Sequence, residues 1–156
     1  MPNTQAIGVA YADPEFASVT VTGAVSAASA AVTGAVTAAS VSATTVTASG
    51  SLVIKSATVA AAGANQGNAA AVTAGFTLVT GADATKGVVL PAASAGLVVI
   101  IKNADAANAV LKVYPASGDA INALSANASY DMAAKTSMLL VAYDSTTWYT
   151  VPLLAS

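Results

Sequence analysis

A close repeat with a period of 11 residues occupies the first third of the chain. Val21-Thr-Gly-Ala-Val-Ser-Ala-Ala-Ser-Ala-Ala is followed at once by Val32-Thr-Gly-Ala-Val-Thr-Ala-Ala-Ser-Val-Ser. Each unit of a repeat must bury its apolar side chains against the next unit or against another chain. A three-sided β-coil needs about 18 residues per turn, so 11 residues cannot close one alone. We therefore expect several copies of the chain to form a narrow, intertwined β-stalk.

Residues 19–54 make up this predicted stalk. Only Val, Ala, Ser, Thr and Gly occur from Val19 to Gly50. The β-branched Val and Thr residues and a glycine in each repeat disfavour helix, whereas the Ala-Ala steps leave helix open as the alternative. The valines expected to line the stalk are Val21, Val25, Val32, Val36, Val41 and Val46.

The composition is that of an assembly protein. Hydrophobic residues make up 56% of the chain, which argues against disorder. Charged residues make up only 8%, compared with about 25% in typical soluble domains. Because the cores of interfaces are depleted in charge, such a chain is expected to commit much of its surface to partners.

Several functions are excluded by residue types that the chain lacks. Its five basic residues are scattered lysines and its net charge is −2, so no basic patch can neutralise a nucleic acid backbone. Histidine and cysteine are absent, which removes His- or Cys-based catalytic triads and thiolate or imidazole metal sites. We expect no enzymatic activity and no cofactor.

Membrane insertion is also not expected. No charge occurs between Glu15 and Lys55, a length that could span a bilayer, but a polar residue stands beside nearly every valine there. The start, Met1-Pro-Asn-Thr-Gln, lacks the basic side chain that opens a signal peptide.

Residues 1–18 do not belong to the repeat and carry larger apolar side chains. They either fold back to cap the stalk or form an extended arm laid across a partner. We favour the arm, because exposed apolar side chains are a liability without a partner. Its candidate binding residues are Ile7, Val9, Tyr11, Pro14 and Phe16.

After a predicted hinge or loop at residues 55–71, residues 72–156 have the pattern of a compact β domain. Short apolar segments alternate with turns, which predicts a β-sandwich or jelly-roll-like arrangement. The predicted strands are Phe76–Thr80, Val88–Leu90, Val98–Lys102, Ala109–Tyr114, Ala128–Met132, Ser137–Tyr143 and Trp148–Val151. The predicted core residues are Leu90, Ile100, Leu111, Tyr114, Leu139, Val141 and Trp148.

The acidic and aromatic residues of this domain are its candidate ligand-binding and catalytic groups. Asp83, Asp105 and Asp119 could offer oxygens to calcium, but without an Asp-x-Asp-x-Asp loop we interpret them as turn caps. The acids are isolated along the sequence, which leaves a glycosidase pair unsupported. Tyr114, Tyr143, Trp148 and Tyr149 could form an aromatic platform for a glycan. Trp148 and Tyr149 are the candidate contacts, although alternation along their strand puts one of the two in the core.

The domain also resembles a known family. The resemblance is carried by Gly87-Val-Val-Leu-Pro-Ala-Ala, Val99-Ile-Ile-Lys-Asn, Leu111-Lys-Val-Tyr-Pro-Ala-Ser-Gly-Asp-Ala-Ile-Asn-Ala-Leu and Val141-Ala-Tyr-Asp-Ser-Thr-Thr-Trp-Tyr. From Gly75 to Leu154 the chain resembles the C-terminal β domain of tailed-bacteriophage head-fibre and capsid decoration (cement) proteins. The resemblance implies a non-enzymatic homotrimer that attaches to the major capsid protein on the exterior of the virion.

The expected fold is therefore all-β, with an N-terminal extended arm, a short trimeric β-stalk and a C-terminal sandwich-like domain. The expected function is capsid decoration and stabilisation. The alternative is a tail-fibre or receptor-binding tip that recognises a host surface glycan.

Overall fold

The computed structural model describes residues 22–26 and 28–151. The chain divides into two units, Met1–Val46 and Thr47–Ser156. The arm candidates Ile7, Val9, Tyr11, Pro14 and Phe16, and the stalk residue Val21, lie outside the described residues. The boundary falls inside the predicted stalk, so residues 47–54 belong with the C-terminal unit.

Residues 22–26 and 28–55 form no strand or helix, and all of their side chains are exposed. A stalk built from several copies would find its strand partners on the other copies. The β-stalk therefore stays a prediction that a single chain does not test.

Within residues 47–151, the described part of the C-terminal unit, the chain forms ten short strands and a single 3₁₀ turn at Gln66–Asn68, which confirms the all-β prediction. The strands are β1 (Ser56–Ala60), β2 (Ala70–Ala71), β3 (Phe76–Thr80), β4 (Gly87–Val89), β5 (Val98–Asn103), β6 (Leu111–Tyr114), β7 (Ala120–Ile121), β8 (Tyr130–Met132), β9 (Ser137–Ala142) and β10 (Thr147–Val151).

The strands form a six-stranded sheet in the order β1-β3-β5-β9-β10-β7 and a four-stranded sheet in the order β2-β4-β6-β8. The first six strands alternate between the two sheets. The pairs β1–β3 and β3–β5 in one sheet, and β2–β4 and β4–β6 in the other, are all parallel. The backbone thus coils through both sheets repeatedly, a β-solenoid-like arrangement. The predicted sandwich or jelly roll differs because its consecutive strands would pair antiparallel.

The last four strands end the parallel series. β8 pairs antiparallel with β6, and β9 pairs antiparallel with β5. β10 then pairs antiparallel with β9 and parallel with β7, which places β7 at the edge of the six-stranded sheet.

Both sheets contribute to one hydrophobic core. The six-stranded sheet contributes fully buried residues that include Val79, Ile101, Leu140 and Trp148. The four-stranded sheet contributes fully or almost fully buried residues that include Val88, Leu111, Val113 and Met132.

The predicted core was right for some residues and wrong for others. Leu90, Leu111 and Trp148 are buried, as predicted. Four others are only half-buried, because they lie on the opposite sides of their strands: Ile100, Tyr114, Leu139 and Val141. Their chain neighbours face the core instead. Segments such as Val98-Val-Ile-Ile are apolar on both faces, so alternation alone cannot tell which face is buried.

Residues 55–71 are not the hinge or loop that we expected. They hold β1, the 3₁₀ turn and β2, and all five residues of β1 pair with β3. The sequence of β1, Ser-Ala-Thr-Val-Ala, lacks the bulky side chains that mark a strand. Its partner β3, Phe-Thr-Leu-Val-Thr, carries larger side chains. Gly63 is required in the turn after β1, since its φ is +64° and an added Cβ would meet the Asn68 carbonyl oxygen at 2.3 Å.

Candidate interaction surfaces

The side of the six-stranded sheet that faces away from the core carries rows of apolar side chains. Strand register places Phe76, Ile100, Leu139 and Val151 in one row. Val98, Val141 and Tyr149 form the next row. These seven residues and Leu78 make up one continuous surface of eight residues, which we call the apolar face: Phe76, Leu78, Val98, Ile100, Leu139, Val141, Tyr149 and Val151.

The apolar face is accessible in the single chain. Val98, Tyr149 and Val151 are exposed, and the other five residues are half-buried between their neighbours. Lys102 lies at its border, in the row of Leu78 and Ser137, and its ammonium group donates a hydrogen bond to the Lys135 carbonyl. Water therefore meets a surface that has a lysine only at its rim.

The outer face of the four-stranded sheet is different. Lys112 and Asp131 form an ion pair there at 2.8 Å, and the Tyr114 hydroxyl donates a hydrogen bond to the Ala64 carbonyl. A sheet with one solvated face places apolar residues inward and polar residues outward. The four-stranded sheet follows this pattern and the six-stranded sheet does not. The outer face of the six-stranded sheet therefore has the apolar composition typical of a buried surface.

A second set of exposed apolar side chains precedes the strands in the sequence, in the predicted stalk. The described stalk valines are 60–74% exposed: Val25, Val32, Val36, Val41 and Val46. Exposed large apolar residues are ordinary when they stand singly, but here four of the five lie within the two repeat copies, with Val25 and Val36 at equivalent positions. Nothing in the described part of one chain covers them.

The two predicted glycan contacts are not equivalent. Trp148 is 0% exposed and lies in the core, so a ligand cannot reach it and its proposed contact is wrong. Tyr149 is exposed and packs edge to face against the more exposed Tyr143, with ring centroids 5.9 Å apart. Both tyrosines belong to the aromatic platform considered from the sequence, but their contact across the Asp144-Ser-Thr-Thr turn between β9 and β10 was not predicted.

Two aspartates cap turns between strands. One carboxylate oxygen of Asp83 accepts hydrogen bonds from the Thr85 hydroxyl and from the backbone N–H groups of Thr85 and Lys86, at 2.7–3.0 Å. The Lys86 ammonium lies 3.0 Å from the other carboxylate oxygen. The Thr85 hydroxyl, then the Lys86 ammonium and the two backbone N–H groups, hold the pKa of Asp83 well below its usual value. Asp144 makes the same turn with Thr146 and Thr147, and the backbone N–H of Thr146 is the main cause of its lowered pKa.

The other two acids considered for calcium brace loops. Asp105 is buried and accepts a hydrogen bond from the Ala109 N–H at 2.9 Å. Asp119 is buried and accepts one from the Ala93 N–H at 2.8 Å, which joins loops 26 residues apart. Nowhere in residues 22–26 and 28–151 do three or more acidic side chains come together as a metal site.

No family model, curated protein or solved structure matches this chain. Among the residues that the structure describes, no helix has the length and apolar character to cross a bilayer. The described residues present three candidate interaction surfaces: the apolar face, the exposed valines and the Tyr143–Tyr149 pair.

Proposed function

We propose that this chain is a structural virion protein, a homotrimeric capsid decoration protein of the cement or head-fibre type. It binds the outside of a bacteriophage capsid and stabilises the shell. The observation that carries the proposal is the series of exposed valines on the 11-residue repeat. These side chains need other copies of the repeat to bury them, and an intertwined oligomer supplies those copies.

The residue types along the repeat suit a thin stalk. Ala, Ser and Gly stand between the valines and allow chains to approach closely, whereas larger side chains would force the stalk open. Burial of apolar surface contributes about 25 cal/mol per Å² to such an assembly, and this gain offsets the entropy lost when the chains associate. The low charge of the whole chain fits the same role, because few side chains require solvent.

Attachment to the capsid is assigned to residues 1–18, with contacts from Ile7, Val9, Tyr11, Pro14 and Phe16. Three arms on one trimer can engage symmetry-related sites of the major capsid protein together. Linkage makes the second and third contacts intramolecular, so individually weak arms give strong retention. A trimer that prefers the assembled lattice to free subunits stabilises that lattice by mass action.

The resemblance of Gly75–Leu154 to the C-terminal domain of head-fibre and decoration proteins supports this proposal. So does the chemistry of the acids, since Asp83, Asp105, Asp119 and Asp144 are engaged in turns and loops. The proposed role requires no catalytic group and no cofactor.

The proposal is tested by binding to capsids that lack this protein. Purified chain is mixed with such particles, and the bound fraction is measured by co-sedimentation. Saturable binding that protects the particles against heat supports decoration. Binding to isolated tails with none to capsids would overturn it.

A second candidate function rests on the Tyr143–Tyr149 pair. Exposed aromatic rings can stack on sugar rings, and a receptor-binding tip of a tail fibre would use them in this way. Tyr149→Ala and Tyr143→Ala should then abolish binding on an array of bacterial surface glycans, while Tyr114→Phe on the other sheet should not. No glycan binding by the unmodified protein would remove this candidate.

A further inference from the structure

We propose that the apolar face is the contact between copies within the C-terminal units of the trimer. Its occupant is a second copy of this chain, on which the same sheet presents the matching surface. The inference rests on the proposed homotrimer and adds where the copies meet outside the repeat.

The apolar face is large enough to form the centre of an interface between subunits. Neighbouring strands are about 4.8 Å apart and same-side residues about 6.8 Å apart along a strand, so each of its eight residues covers about 33 Å² of sheet and the whole face about 260 Å². A standard interface buries about 800 Å² on each partner, so the face supplies about a third of that area. Leu52, Val53 and Ile54, which lead into β1, are exposed and add further apolar surface in the same unit.

The chemistry of the face favours another copy of this chain over a different partner. Contacts between identical subunits are more apolar than contacts between proteins that meet transiently. The eight residues of the face include no charged side chain, and Lys102 at the border already has a hydrogen-bond acceptor. A partner recognised through charge would find little to bind here.

The two sides of the face differ in shape, which favours a ring over a two-fold dimer. On the β10 side, Tyr149 and Tyr143 project from the sheet. On the β1–β3 side lies a hollow of about 350 Å³, lined by Ser56, Ala57, Thr58, Phe76 and Leu78. A surface with a projection on one side and a hollow on the other suits head-to-tail contacts, which form a ring when the rotation between successive copies closes.

The test places one charge in the middle of the face. Ile100→Glu puts a carboxylate between Phe76 and Leu139, whereas the matched control Val89→Glu puts one at a half-buried position on the outer side of the four-stranded sheet. Light scattering coupled to gel filtration gives the mass, and circular dichroism reports folding. We expect Ile100→Glu to weaken association at least tenfold, with the folded spectrum retained, and Val89→Glu to leave association unchanged.

A second measurement does not depend on a destabilising change. The chain has no cysteine, so Val141→Cys and Val89→Cys each introduce a single thiol. We expect maleimide to modify residue 141 at least tenfold more slowly than residue 89 in the assembled protein, and at a similar rate after unfolding in urea. Equal rates in the assembled protein would overturn the inference.

The outcomes separate the inference from the function on which it rests. A trimeric Ile100→Glu variant with a rapidly modified Val141→Cys would overturn the apolar face as the contact and leave the homotrimer standing. A monomeric unmodified protein would overturn both.

Discussion

Ile100 and Leu139 lie opposite each other across the β5–β9 pair, on the side of the six-stranded sheet that faces away from the core. Both were predicted to be buried by their own chain. Instead they stand in the middle of a face that the single chain leaves uncovered. These residues have the composition of a core but lie on the outside of a folded unit. That is the physical basis for proposing that a second copy of the chain covers them.

The turn after β1 should tolerate no side chain at Gly63. Gly63→Ala adds a Cβ that meets the backbone of Asn68 at 2.3 Å, in addition to the cost of a positive φ. Gly81 has a similar φ, +69°, with open space around it, so Gly81→Ala is a matched control. Urea unfolding should show a loss of about 1 to 2 kcal/mol for Gly81→Ala. It should show a clearly larger loss for Gly63→Ala, and equal losses would contradict the close contact.

Trp148 should behave as a core residue. Trp148→Ala should lower the free energy of unfolding by about 3 to 5 kcal/mol through loss of packing. Trp148→Phe should cost less, because the indole N–H of Trp148 has no hydrogen-bond partner to lose. Trp148 is the only tryptophan, so its fluorescence should be blue-shifted and poorly quenched by acrylamide. Efficient quenching in the folded protein would place the ring at the surface instead.

Much of the strand pattern could be predicted from the sequence. Runs such as Phe76–Thr80 and Ser137–Ala142 are rich in β-branched or bulky apolar residues and are bounded by turn residues, which marks them as strands. Which sheet each strand joins could not be predicted, because the parallel pairs of the coil join residues 18 to 25 positions apart in the sequence. Ser56–Ala60 was missed for a related reason, since this strand of small residues depends on β3 for its pairing.

The candidate surfaces were less predictable. The apolar face escaped notice because β5 and β9 are apolar on both sides, and only the fold shows which side the core uses. The Tyr143–Tyr149 contact forms across the β9–β10 turn, a pairing that sequence spacing alone does not establish. The repeat, in contrast, can be recognised directly in the sequence, and its valines predict packing against other copies of the chain.

Acid should weaken the protein partly through Asp83 and Asp144. Hydrogen bonds from their turns lower the pKa of both carboxyls in the folded state from an ordinary value of 3.8. Each group therefore contributes stability above that ordinary value, and the contribution is lost as the pH falls through the lowered pKa. The double variant Asp83→Asn/Asp144→Asn should lose less stability than the unmodified protein between pH 6 and pH 2. Urea midpoints at both pH values check this, and identical pH dependence would contradict it.

Deletion of residues 1–18 should separate assembly from attachment. The truncated chain should keep its trimeric mass, because the stalk valines and the apolar face remain. It should lose capsid binding by at least tenfold in co-sedimentation, since all three arms are removed together. Unchanged capsid occupancy by the truncated trimer would refute the arm assignment.

The proposed capsid decoration is tested most directly by cryo-electron microscopy of bacteriophage particles to which the purified chain has been added. The account predicts threefold density on the outside of the capsid shell, three copies to each site, with residues 1–18 in contact with the major capsid protein. Density confined to the tail, or single copies without threefold symmetry, would contradict it.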